Sequence, residues 1–179
     1  MKKTILLLLF FLSSGLYAQD KMSTTNAIIS FEASVPYFEA VKAKNEAVSC
    51  YLNTKRSSLS FVVYVNMFRF ERSLMEDHFN ANYLETKKYP KATFKGTIEK
   101  FDFKTLTEVE KTYSIAGKIF IHGKSKNIKV AAKIKKGKNG IELDSNFTIN
   151  TDDFNIEIPY IVRNKISKQV TIKLYSVLQ

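Results

Sequence analysis

The sequence predicts an all-β chain with one short helix, its strands closing as an eight-stranded antiparallel barrel. Three observations predict it. Apolar and polar residues alternate with period two through most of the chain, the pattern of strands that bury one face. There are 14 Phe and 9 Tyr against 6 Gly and 3 Pro, a balance suited to strands with an apolar lining. One stretch alone changes to helical spacing. Eight faces of this kind must be buried together, and a closed barrel does so without leaving an open edge. A two-sheet sandwich of the same strands is the architectural alternative.

The strands follow one another with little between them. Ile29, Phe31 and Ala33 share one parity, and Val48, Cys50 and Leu52 form a second short run. Leu59, Phe61, Val63, Val65 and Met67 form the clearest apolar stripe. Phe68 and Phe70 fall on the opposite parity, suited either to a hydrophobic lid or, the favoured reading, to packing the helix onto the barrel. Between Arg72 and Tyr89 the apolar residues Leu74, Met75, Phe79 and Tyr83 are spaced three and four apart, which predicts a helix. Ser73 and Glu76 have the spacing of a capping box, and Pro90 limits the helix and extends Tyr89. A shorter helical turn is expected at 37–44.

Ala92, Phe94, Gly96 and Ile98 resume the alternation, followed by Tyr113, Ile115, Gly117, Ile119 and Ile121. After a turn at Gly123 come Ile128, Val130, Ala132 and Ile134. Gly-Lys-Asn-Gly at 137–140 is a hairpin signal. Ile141, Leu143, Phe147 and Ile149 follow, and Val170, Ile172 and Leu174 close the chain.

Residues 1–18 read as a secretory signal peptide and stand outside the fold argument. Lys2 and Lys3 precede an unbroken apolar run from Ile5 to Leu12, then Ser13, Ser14, Gly15 and a cleavage position after Ala18. The run is too short to span a bilayer, which takes ~20 apolar residues. Its length and small-residue tail favour a cleaved signal over an uncleaved interfacial anchor, and no Cys follows to accept lipid. The mature domain is therefore expected to run from Gln19 to Gln179, in the periplasm or secreted. Removal of two lysines takes the net charge from +11 to +9.

Composition excludes several classes. With 45 % hydrophobic residues the chain can build a core. One Cys precludes an internal disulfide or Cys-cluster metal site, and His78 and His122 stand too far apart in sequence to suggest a metal centre. No phosphate loop, nucleophile elbow or metal spacing is present. No cofactor or metal is expected. Export and the lack of Arg–aromatic interleaving argue against nucleic acid despite the basic balance.

Several residues have two readings. Seven lysines lie between Lys124 and Lys138 with no acid, as a surface for anionic lipid or as the solvated face of a strand. Lys129, Lys133 and Lys135 alternate with Val130, Ala132 and Ile134, which favours the solvated face. Phe120 falls on the outward parity. His122 at its turn reads either as a functional titrating group or, the favoured reading, as a satisfied turn histidine, and His78 as an exposed helix residue. Asp152 and Asp153 belong to a turn cluster rather than a catalytic pair. Cys50 reads as a small buried hydrophobe.

Four blocks, in order, resemble the YceI-like family of bacterial exported lipid-binding proteins. Leu74-Met75-Glu76-Asp77-His78-Phe79, then Tyr83-Leu84-Glu85 and Tyr89 to Gly96, looks like the family's helix, YP turn and TF-containing strand. Tyr113 to Gly123 looks like its Gly-x-Leu-Thr-Ile-His-Gly hairpin. Phe147 to Pro159, with Asp153-Phe154-Asn155-Ile156, looks like its Asp-Phe-Gly-Ile segment, and Val170 to Leu174 like its closing strand. Asn155 stands where the family has Gly, and the usual signature before Phe31 is missing.

The resemblance implies a lipocalin-like barrel with a helix beside it, enclosing a polyisoprenoid, an isoprenoid quinone or a fatty-acid derivative. The expected lining is Phe31, Leu59, Phe61, Val63, Phe94, Ile98, Ile115, Ile119, Ile121, Phe147, Ile149, Phe154, Ile172 and Leu174, with Ile29 beside them. The expected function is non-enzymatic transport or storage of a long apolar lipid. The competing reading is an adaptor or inhibitor with a filled barrel, acting through Phe120 and the lysine run. Peripheral contact with a membrane surface and a homodimer remain open as further partners.

Overall fold

A computed structural model describes residues 20–179, so the segment read as a signal peptide lies outside the described residues. Nine strands form one antiparallel sheet. They are β1 (Lys21–Ser34), β2 (Lys42–Asn53), β3 (Ser58–Tyr64), β4 (Arg69–Phe70), β5 (Lys91–Ile98), β6 (Lys111–Ile121), β7 (Lys124–Gly137), β8 (Gly140–Asn150) and β9 (Ile166–Leu178). The two-residue β4 only extends the sheet beside β2. The other eight pair in order, and β1 closes the barrel by pairing with both β2 and β9.

Each strand runs to the next in the meander, so connections alternate between the two ends of the barrel. At one end lie the 54–57 turn, the 99–110 loop, the Lys138-Asn139 turn and the chain terminus. This end is filled. Leu52, Ile98, Ile134, Ile141 and Leu178 are almost completely buried there, and the 99–110 loop folds Phe101 and Leu106 inward. Phe101 meets Tyr113 edge-on at 5.4 Å between centroids.

Several local expectations change. The helix α1 (Ser73–His78) is shorter than its apolar spacing suggests and continues as one wide π-turn, Phe79–Tyr83. Arg72, not Ser73, takes the N-cap position, with no side-chain cap. Glu76 is drawn away from a capping role because its carboxylate accepts from Arg69 Nη1 at 2.9 Å and from the Phe70 amide at 3.2 Å. The expected helical turn at 37–44 is instead a tight turn leading into β2. Met67 leaves the apolar stripe because β3 ends at Tyr64 in a 3₁₀ turn, which leaves Met67 exposed.

Gly96 and Gly117 pair across β5 and β6 on the inner face. A Cβ on either would fall 2.6 Å from the tip of the Phe94 ring and no farther than 2.7 Å from neighbouring backbone. The missing side chains therefore let Phe94 lie against the wall of the barrel rather than project across it.

Cys50 is fully buried beside β1 and β3. Burial pushes its thiol up to about 12. Because the thiolate is the reactive form, the folded protein should not react with an aromatic disulfide reagent at mildly alkaline pH. One equivalent should react once guanidinium unfolds it, as absorbance at the released thiol's wavelength would show.

A cavity at the open end of the barrel

The opposite end carries the 35–41 loop, the long β3–β5 connection with α1, the β6–β7 turn and the 151–165 loop. Here the interior is open as a cavity of about 420 Å³, within the ~300–1,000 Å³ usual for small-molecule sites. An eight-stranded barrel is just wide enough either to fill with side chains or to hold one slender ligand. This one does the first at one end and the second at the other.

Alternation decides which side chains face the space. From β3 and β5 come Leu59, Phe61, Val63 and Phe94, and from β6 come Ile115, Ile119 and Ile121. Phe147 and Ile149 of β8, Ile172 and Leu174 of β9, and Ile29 and Phe31 of β1 complete the expected set. Two expected residues do not face the cavity. Ile98 has the right parity but lies at the closed end of β5, sealed in the filled half. Phe154 is completely buried in the 3₁₀ turn Thr151–Phe154, packed against the ends of β7, β8 and β9.

Other lining residues come from connections, where no period-two signal exists. Ile156, Ile158 and Val162 enter from the 151–165 loop, and Met75, Tyr83 and Leu84 from the helical segment. Ile128, Val130 and Val170 had the required alternation and also face the cavity. Phe31, Phe68, Phe70 and Phe79 form one aromatic cluster with centroid separations of 5.1–5.8 Å. It occupies the β2 side, where Ala43 pairs with both Phe31 and Phe70 and leaves room for the rings. Phe68 and Phe70 thus pack the helical segment onto the barrel and line the cavity at once.

Polar groups are few and gather toward the mouth: Glu39, His78, Lys165 and Ser167. Inside, Ser145 donates to the Ala131 carbonyl at 2.7 Å. The Thr151 hydroxyl is buried at the cavity wall with no hydrogen-bond partner among the described residues. Among those residues no three His, Cys, Asp or Glu side chains gather as a metal set.

The surrounding loops are tied down away from the cavity. His122, at φ +50 in the β6–β7 turn, meets Glu85 Oε2 through Nε2 at 2.8 Å and the Phe154 carbonyl through Nδ1 at 3.1 Å. Tyr89 packs edge-on against its ring at 4.5 Å. One imidazole therefore joins three connections. His122→Ala should lower stability by ~1–3 kcal/mol, the cost of leaving the buried Phe154 carbonyl unsatisfied, read as a lower urea midpoint with an unchanged slope. Asn155 takes the left-handed conformation at φ +53, which Asn tolerates better than other side chains and which accounts for its standing at a Gly position.

Lys129, Lys133 and Lys135 sit on the outer face of β7, while Lys124, Lys126 and Lys136 share the inward parity but lie exposed at the two ends of the strand. Lys126 pairs with Asp153, Lys129 with Glu99, Lys133 with Glu110 and Lys135 with Glu142. This is a solvated, partly neutralised strand face, worth little in stability.

The sequence model of the YceI-like domain matches residues 20–178, the whole described barrel. The chain belongs to the YceI-like family. Solved structures similar to it share the barrel. A polyisoprenoid-binding domain from Saccharophagus degradans superposes with a TM-score of 0.78 at 14% identity, covering 89% of this chain and 98% of that one. BcnA of Burkholderia cenocepacia gives 0.68 at 17%, covering 86% and 96%. The YceI protein of Campylobacter jejuni gives 0.59 at 22%, covering 80% and 88%. No curated protein sequence matches the chain. At these identities the structural likeness speaks for the YceI fold, and the cavity must be read from this chain's own residues.

Proposed function

We propose that this YceI-like protein binds a long apolar lipid, such as a polyisoprenoid, an isoprenoid quinone or a fatty-acid derivative, and acts as its carrier or reservoir without catalysis. The observation that carries the reading is the open half of the barrel, walled almost wholly by aliphatic and aromatic side chains. Desolvation supplies the affinity. Each methylene removed from water contributes ~0.8 kcal/mol, so about ten contribute ~8 kcal/mol before the entropy of association is charged against them. A polar head group would remain at the mouth, where His78, Ser167 and Lys165 offer hydrogen bonds and charge.

The leader-like segment supports a periplasmic or secreted setting, where such a passenger would otherwise be insoluble. The adaptor reading needs a filled barrel, and the cavity speaks against it.

Native mass spectrometry of the protein purified from its own periplasm or medium, followed by solvent extraction, tests the proposal. The expected result is one apolar passenger per barrel. A bare protein mass, with no uptake of added isoprenoids or fatty acids, would overturn it.

A further inference from the structure

The open end carries apolar side chains that the cavity does not need. Tyr37 is 105% exposed relative to a free residue, Ile161 86%, Tyr160 76% and Leu74 64%. All four lie on the three connections whose neighbouring residues line the mouth: Phe38 beside Tyr37, Met75 beside Leu74, and Val162 beside Ile161. Among the described residues, the filled end has only Val109 comparably exposed. Scattered exposed hydrophobes are ordinary, but gathering around an apolar opening is not.

The charges around them fit one kind of partner. The Arg163 guanidinium stacks over Tyr160 at 4.2 Å, and Lys165 stands at the mouth. Neither has an ion-pair partner among the described residues. Arg72 is paired with Glu39, Lys168 with Asp152 and Lys126 with Asp153, which leaves Glu157 in the Tyr160 loop and Glu71 and Asp77 beside Leu74 as the acids at this end without an ion pair among the described residues. Tyrosines and apolar tips beside unpaired cations are the side-chain chemistry of a bilayer interface. There the rings sit at headgroup depth and cations meet lipid phosphates.

We propose that this rim is a membrane foot. The Tyr37-Phe38 turn, Leu74 and the Tyr160–Lys165 segment seat the open end of the barrel in the headgroup layer of an anionic bilayer. This rests on the lipid-binding reading of the cavity and adds a route: the passenger moves between bilayer and barrel without its methylenes crossing water. The surface involved is the rim, not the outer face of β7, where Lys129, Lys133 and Lys135 are paired on the side wall.

Co-sedimentation with vesicles of equal parts phosphatidylethanolamine and phosphatidylglycerol tests it. The purified protein should sediment with the vesicles, and less so as salt rises. Ile161→Asp combined with Tyr160→Ser should lower the apparent affinity by about tenfold or more, since removing a bulky apolar contact of ~1.5 kcal/mol already gives tenfold. Val109→Asp, at the other end, should sediment like the parent.

Both exposed-site variants should melt like the parent and hold the same extractable passenger when loaded from detergent. Transfer of that passenger out of labelled vesicles should slow about tenfold in the rim variant alone. Failure of the parent to sediment, or sedimentation of the rim variant equal to the parent, would overturn the foot. So would a dimer by light scattering that the rim variant dissolves, because the rim would then face a second copy. Vesicle binding lost in the rim variant while no form holds a passenger would uphold the foot and overturn the cavity reading.

Discussion

Ile119→Asp should abolish retention of the apolar passenger. Ile119 projects into the cavity from β6, opposite Phe94 across the β5–β6 pair, and is almost wholly buried. Phe94 and the cavity wall around it are hydrocarbon, and Lys126, its partner on β7, is held by Asp153, so a carboxylate there draws in water, takes up a proton or pulls Lys126 inward. Each outcome puts a hydrated polar group where the chain would lie. Burying an unpartnered polar group costs several kcal/mol on most scales, and retention should fall on the order of 100-fold or more. Solvent extraction of the purified variant, quantified against the parent, reads the effect.

Ile119→Val separates shape from polarity and should retain the passenger within a few-fold. If the Asp variant does not fold, Val130→Phe narrows the same space without charge and should still reduce retention. A folded Ile119→Asp protein that keeps its passenger would sink the cavity assignment.

Phe154→Ala should give the opposite pattern, a large loss of stability with little loss of binding. Its ring is completely buried outside the cavity, in the 3₁₀ turn whose last carbonyl pairs with His122. Removing a buried Phe costs ~3–5 kcal/mol, from lost transfer energy and the void left behind. For a domain of this size that is a fall of about 6–20 °C in melting temperature. The passenger per folded molecule should stay near the parental level. A loss of passenger without a loss of stability would place Phe154 back among the ligand contacts.

Phe94 and Phe154 were alike in the sequence, each an aromatic within a block that resembles the YceI-like family. Their environments separate them. Phe94 lies on a strand whose alternation aims it inward, over a space that Gly96 and Gly117 keep free. Phe154 ends a turn, where no period relates its position to the barrel axis.

The same limit explains Ile98. Parity names a face of a strand, but depth along the barrel depends on stagger against both neighbours and on what the loops fold inward. Phe101 and Leu106 close the end where Ile98 sits, and nothing in its own strand reports them. The start of the helix differs from its sequence spacing for a similar reason: Glu76 stands three residues after Ser73, but Arg69 and the Phe70 amide hold its carboxylate.

From the amino-acid order alone came the all-β class, the eight alternating strands, a hairpin turn within 137–140, the family resemblance and most of the inward stripe; the bend itself falls on Lys138-Asn139, one residue before the Asn-Gly pair. These are local properties: a period of two follows from backbone geometry, and each strand carries its own evidence of a buried face. Tertiary structure alone decided which end is filled, how Phe31, Phe68, Phe70 and Phe79 meet from separate elements, and how His122 joins Glu85 to Phe154. It also gathered Tyr37, Leu74, Tyr160 and Ile161 at one rim. Those relations depend on strand register and barrel closure, which bring together residues more than a hundred positions apart and leave no local pattern behind.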